Sequence, residues 1–252
     1  WYFVEYAKHL NDTSYYFTKE IFDLFYPSYG DTYPMYNGAI GMTYEQAGHS
    51  SGGLTVIKND GDTLTLKDRI AHHFTTSMST IEMASVYQTK LISEFQNYFT
   101  TAKNVGYSSY KSFVIKGVDT LRRNAFLNIL EKNEIIYTCV AADRTLTANG
   151  FEYNTGKENA FSINKGDIII QNKQSHSSMV KVLLEPQTKL PDSATYDITA
   201  WSLPYVYGLN AFACKNEIPN GEEITITKIS NRPTSYGYAF RWSGVNAASF
   251  LG

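Results

Sequence analysis

A single carboxylate closes an apolar run near the start of the chain. The run is "GAIGMTYE" (38–45), and it ends on Glu45 before a Gly- and Ser-rich loop that contains His49. Its apolar residues occupy both faces of a strand, which predicts a central, covered strand. Glu45 then has two interpretations: it marks where the strand reaches water, or it is a general acid or base at the rim of a pocket.

The position of Glu45 at the end of its predicted strand is typical of a functional residue, but it does not specify a reaction. Functional groups in open α/β sheets collect at the carboxyl ends of strands, and Glu45 is the last residue of its predicted strand. A lone glutamate cannot define a nucleophile, a base or a metal ligand by itself. The residue types therefore leave the structural and the catalytic interpretations open.

The other candidate residues give weaker evidence for a catalytic or metal-binding role. His72 and His73 are adjacent on a predicted helix, so they point about 100° apart and cannot chelate as an i,i+4 pair does. His49 follows Glu45 closely enough to reach the mouth of a pocket there. Cys139 lies in "YTCVAAD", which lacks the flanking glycines of a nucleophile elbow, so we predict an ordinary buried thiol.

Composition predicts a globular protein and excludes two kinds of partner. The 252 residues are 43% hydrophobic and 18% charged with a formal net charge of -2, which is a folded profile. The near-neutral net charge gives no indication of a basic surface that would bind nucleic acid. No run approaches the roughly 20 apolar residues of a membrane span. The aromatic content of 15% suits clefts lined for peptide or carbohydrate.

The elements that must position Glu45 lie in a first block, residues 1–104. An amphipathic helix begins this block, and one long helix over 64–99 ends it. Apolar residues recur at helical spacing along the long helix and predict its buried face: Ile70, Phe74, Met78, Ile81, Met83 and Val86.

Residues 110–215 form a second block, predicted to be a small open α/β domain. Strands are predicted at 112–117, 134–141 and 165–172, and helices at 120–133 and 176–185. The first strand–helix–strand unit has the spacing of a parallel crossover. The block resembles a flavodoxin- or glutamine amidotransferase-like domain without catalytic residues. Residues 216–252 read as a linker and the start of a further truncated unit.

Two stretches of the first block resemble a known family. They are "FYPSYGDTYPMYNGAIGMTYEQAG" (25–48) and "LTLKDRIAHHFTTSMSTIE" (64–82). They resemble the C-terminal part of the zinc carboxypeptidases, peptidase family M14, in its large multidomain bacterial members. The resemblance implies that residues 1–104 are the closing part of a carboxypeptidase-like mixed α/β sheet domain.

The resemblance also implies roles for particular residues. Glu45 in "GMTYE" matches the family's general base, which activates a zinc-bound water whose pKa the metal lowers towards about 7. The family carries a mobile tyrosine that closes over bound substrate, for which "FYPSYGD" offers Tyr26 and Tyr29. Tyr26 has the closer spacing to Glu45. A loop aromatic packed on the surface is the alternative for both tyrosines.

The sequence departs from the family at the metal. The family's zinc is held by a His-x-x-Glu pair and a later His, all before the catalytic glutamate, whereas only His9 precedes Glu45 here and no His-x-x-Glu pair occurs. The residues after the glutamate, "QAG", also differ. The first residue is Trp1 rather than Met, and the helix that "GVNAASFLG" begins stops after about two turns, so we expect a chain cut from a longer protein at both ends. Its zinc ligands, and the basic residues that hold a substrate carboxylate, would precede Trp1.

Two expectations for function follow. In the first, the parent is an exported bacterial metallocarboxypeptidase, periplasmic or secreted, that needs Zn and acts on peptide or protein substrates. Glu45 is its base, other domains of the same polypeptide are its partners, and the 252-residue chain alone is inactive. The alternative is a non-catalytic peptide- or glycan-binding or scaffold module derived from such a peptidase.

Overall fold

The computed structural model describes residues 1–10, 27–45, 54–117, 120–143, 146–187 and 202–222. These residues fall into two compact units, the first ending at Thr101 and the second beginning at Ala102. Helices and strands both occur, so the chain is a mixed α/β protein, as predicted. The identities assigned to 1–104, 110–215 and 216–252 stay predictions.

The first unit is mainly helical. A capping box starts its longest helix, because the Thr65 side chain accepts from the Asp68 N–H and the Asp68 carboxylate accepts from the Thr65 N–H. The single helix predicted over 64–99 is interrupted at Tyr87, whose backbone leaves the helical conformation. The elements are α1 (Tyr2–Leu10), α2 (Thr32–Met35), the antiparallel strands β1 (Thr55–Ile57) and β2 (Thr63–Thr65), α3 (Leu66–Val86) and α4 (Gln88–Asn104).

A small core joins α1 to α3 in the first unit. Tyr6 and Met83 are each 1% exposed at its centre. The Tyr6 hydroxyl donates to the Thr76 carbonyl of α3 over 2.9 Å, and the Tyr6 ring stacks on Tyr44 with centroids 6.1 Å apart. Half-buried side chains surround this centre: Leu10, Met42, Tyr44, Tyr87 and Leu91.

A six-stranded sheet organises the second unit, in the order β4-β7-β3-β8-β5-β6. Sequence reasoning missed the β5–β6 hairpin and β8, although it found the other strands in part. The strands are β3 (Ser112–Ile115), β4 (Thr138–Cys139), β5 (Thr147–Glu152), β6 (Lys157–Ser162), β7 (Ile168–Gln171) and β8 (Ala211–Cys214), and the helices are α5 (Thr120–Lys132), α6 (Ser177–Leu184) and α7 (Leu203–Val206).

The direction of the strands corrects the sequence prediction. Every neighbouring pair in this sheet is antiparallel. The strands β3 and β4 do run parallel to each other across α5, as the crossover predicted, but β7 lies between them and pairs with both. The parallel sheet expected of a flavodoxin- or amidotransferase-like domain is therefore wrong for the described residues.

Both faces of the central strands are buried. The register places Val114, Ile169 and Phe212 side by side on one face. On that face the Phe212 ring stacks on Phe161 with centroids 3.9 Å apart. The alternate residues Phe113 and Ile170 pair on the other face and are also fully buried. This two-sided burial explains why β3 and β7 read as continuous apolar runs.

Candidate functional site

Glu45 does not end a buried strand. Residues 39–45 form an irregular segment, and Glu45 is exposed. The only strands described in the first unit are β1 and β2, which pair with each other, so this segment has no sheet to join. Met42 and Tyr44 pack on the core of Tyr6 and Met83, and the intervening Thr43 and Glu45 face water. Alternation along the segment therefore places the Glu45 carboxylate outside.

The two residues that precede Glu45 are nevertheless each held by a side-chain hydrogen bond. The Thr43 hydroxyl donates to the Asp31 carboxylate over 2.5 Å, and this bond is the main reason that the pKa of Asp31 lies below its usual value. The Tyr44 hydroxyl shares a 2.5 Å hydrogen bond with Thr80 of α3. Gly41 must be glycine because a Cβ there would overlap the Asp31 carbonyl oxygen. The two residues before Glu45 are thus held in place, and the Glu45 side chain is exposed.

Of the two candidate substrate-binding tyrosines, Tyr29 lies within the described residues. Tyr26 lies outside the described residues, as does His49. Tyr29 lies half-buried in the turn before α2, where its carbonyl accepts the Tyr33 N–H over 2.9 Å. Their roles towards a substrate stay predictions.

The described residues do not fit a zinc site of their own. Among them, no three His, Cys, Asp or Glu side chains are grouped closely enough to hold a metal ion. His72 and His73 both lie on α3, His72 half-buried and His73 exposed. Any catalytic metal facing Glu45 would need ligands from other residues.

The cysteines lack the character of nucleophiles. Cys139 lies on β4 and is half-buried, and burial is the main cause that raises the pKa of its thiol. Cys214 is buried in β8, where burial raises its pKa to about 12. Both thiols are therefore protonated near neutral pH, and a thiolate is the form that attacks.

The feature that sequence reasoning missed is the reversed burial of α3. Of the six apolar residues expected on its buried face, Met83 alone is buried. Four others form what we call the apolar stripe, with exposed fractions of 62%, 66%, 40% and 63%: Ile70, Phe74, Met78 and Ile81. At 100° per residue these four lie within an arc of about 80°.

The opposite face of α3 is polar and buried. Arg69, Thr76 and Ser79 are its other buried residues, with Met83. The small side chains of Thr76 and Ser79 allow α1 to approach closely, and the Tyr6 hydroxyl bonds the backbone of Thr76 there. The periodic pattern predicted that the apolar face of α3 is buried. In the structure, the polar face contacts α1 and is buried instead.

On this buried face, two nitrogens of the Arg69 guanidinium lack a hydrogen-bond partner among the described residues. Its residue is 6% exposed, and within the part of the chain that the structure describes neither its Nε nor its Nη2 has a hydrogen-bond partner. These two nitrogens form one edge of the guanidinium, the edge that usually holds a carboxylate with two parallel bonds. An unpaired buried charge is costly.

The second unit contains a buried charge that does have partners, the carboxylate of Asp167. The carboxylate of Asp167 is 2% exposed and forms an ion pair with Lys116. It also accepts the backbone N–H groups of Gly117 over 3.1 Å and Asn164 over 2.9 Å. The Lys116 ammonium donates in addition to the Ser162 carbonyl over 2.8 Å. This network ties β3, β6 and β7 together and serves the fold.

None of the helices in the described ranges is long and apolar enough to cross a membrane. Comparison of the chain with models of protein families, with curated proteins and with solved structures gave no match. The likeness to the zinc carboxypeptidases therefore rests on the two quoted stretches.

Proposed function

We propose that this chain is a non-catalytic scaffold module that binds another polypeptide through the apolar stripe of α3. The observation that carries the proposal is the reversed burial of that helix. Amphipathic helices ordinarily turn the apolar face to the core, but α3 buries Arg69 and Thr76 and exposes Ile70 and Phe74. A contiguous exposed apolar surface marks a site of protein interaction.

The stripe has a shape and a size that suit a helix. Its side chains occupy one line along three turns of α3, which fits the groove of a second helix packed alongside. At roughly 100–130 Å² of exposed surface per side chain, the four residues offer roughly 450 Å². Covering this surface contributes about 11 kcal/mol before the costs of association.

The docking surface is tested by a dye that fluoresces on apolar protein surface. At low micromolar concentration, the native chain is expected to bind anilinonaphthalene sulfonate, and a Phe74→Ser, Ile81→Ser double variant is expected to bind several-fold less. Val86→Ser is the matched control, because Val86 is also 66% exposed on α3 but lies off the stripe. Equal dye binding by all three folded proteins would overturn the proposal.

Peptidase activity of a longer parent protein is the second candidate function. It rests on the family resemblance and on one observation, that Glu45 is an accessible carboxylate on an anchored segment. A base that meets a metal-bound water held by other residues needs those two properties.

The two candidates differ in what the 252-residue chain does alone. We expect no hydrolysis of peptides by this chain, with or without added zinc, because its described residues group no metal ligands. The measurement is release of C-terminal amino acids, with Glu45→Gln as the matched variant. Chelator-sensitive hydrolysis that disappears in Glu45→Gln would replace the scaffold proposal with the peptidase.

A further inference from the structure

We infer that the partner that covers the apolar stripe is a second copy of this chain, bound through an antiparallel, two-fold pair of α3 helices. The inference rests on the proposed function, because it names the occupant of the same surface. Two properties of α3 support it, the spacing of the stripe and the charges beside it, and the area of the stripe sets the expected strength of the pair.

The spacing of the stripe is nearly the same in both directions. Its members follow one another at steps of four, four and three residues: Ile70, Phe74, Met78 and Ile81. When two copies run antiparallel with the two-fold axis beside the middle of the stripe, Phe74 of one copy faces Met78 of the other. Ile70 then faces Ile81, each contact occurring twice. A two-fold interface needs this self-complementarity.

The charges beside the stripe are also complementary under the same symmetry. Lys67 lies one turn before the stripe and Glu82 directly after it, and both are exposed. In the antiparallel pair, Lys67 of one copy comes within about 4 Å, along the helix axis, of Glu82 of the other. Parallel pairing would bring like charges side by side instead, so the charges favour the antiparallel arrangement.

The area sets the strength of the pair. Roughly 450 Å² from each copy gives a total of roughly 900 Å², which is below the roughly 1,200–2,000 Å² of stable interfaces and within the class of transient ones. We therefore expect reversible dimers that dissociate on dilution rather than an obligate dimer.

Sedimentation velocity over a range of protein concentrations tests this directly. The wild-type chain is expected to pass from monomer to dimer in that range. The Phe74→Ser, Ile81→Ser variant is expected to dimerise at least 10-fold more weakly, with Val86→Ser unchanged. Lys67→Glu is expected to weaken the dimer, and Lys67→Glu combined with Glu82→Lys to restore it. Far-UV circular dichroism verifies that each variant keeps its helices.

The outcomes separate this inference from the proposed function. A wild-type chain that stays monomeric at every concentration while its stripe still binds the dye overturns the dimer and leaves the docking surface. Loss of dye binding as the concentration rises, in step with dimer formation, supports both. A dimer that the stripe variant leaves intact overturns the inference, and so does a failure of the double charge reversal to restore dimerisation.

Discussion

Replacing Asp167 with alanine is expected to lower the free energy of unfolding of the second unit by about 3–5 kcal/mol. The change leaves the Lys116 ammonium, whose side chain is 11% exposed, without its counter-ion. It also leaves the N–H groups of Gly117 and Asn164 without their acceptor. The measurement is native-state hydrogen exchange of β3 and β7, which reports on this unit alone.

Graded variants separate the ion pair from the backbone contacts. Asp167→Asn keeps an acceptor for one N–H group and is expected to cost less than alanine. Lys116→Met is also expected to destabilise the unit, because it leaves the 2% exposed carboxylate without its counter-ion although that carboxylate retains its two backbone donors. Glu158→Ala, which removes an exposed carboxylate 3.7 Å from Lys215, is the control and should leave exchange unchanged. An Asp167→Ala protein as stable as this control would contradict the prediction.

Replacing Arg69 with methionine is expected to raise the stability of the first unit by about 1–4 kcal/mol. Methionine has a similar length and removes a buried guanidinium, two of whose nitrogens have no hydrogen-bond partner among the described residues. The measurement is hydrogen exchange of α1 and α3. The gain would be unusual for a mutation in a buried position, since most such changes destabilise.

Two control variants test whether the gain comes from removing the charge and whether it requires a buried position. Arg69→Lys keeps a buried charge and should give no gain. Lys67→Met removes a neighbouring charge that is exposed and should have little effect. If Arg69→Met instead weakens the unit by more than about 1 kcal/mol, the guanidinium has a stabilising anionic partner. The unpaired state described for it would then be wrong.

The elements that the sequence predicted well are those with strong local signals. The β-branched run Ile168–Ile170 is a strand, and the amphipathic stretch that starts at Ser177 is a helix. The break at Tyr87 and the strands β5, β6 and β8 lacked such signals. The hairpin of β5 and β6 is largely polar on its exposed side, and β8 is only four residues long.

The candidate site shows the limit of local patterns more clearly. The run of apolar residues before Glu45 predicted a covered strand, but Met42 and Tyr44 pack on the core of Tyr6 and Met83 while Ile40 is 41% exposed. An apolar pattern specifies that side chains leave water and does not specify against what. Because residues 39–45 do not form a strand, Glu45 does not lie at the edge of a sheet, and its position no longer supports a catalytic role. The catalytic role then depends on the family resemblance and on an exposed carboxylate that follows the anchored residues Thr43 and Tyr44.

By itself, the sequence determined a mixed α/β chain and the helical period of α3, whose predicted start at residue 64 lies two residues before the observed start at Leu66. These follow from interactions between residues a few positions apart, which every conformation of the segment shares. The tertiary structure alone decided which face of α3 is buried and on which side of its segment Glu45 lies. Burial depends on partners distant in sequence, here Tyr6 on Thr76 and Tyr44 on Thr80, and no local spacing encodes them.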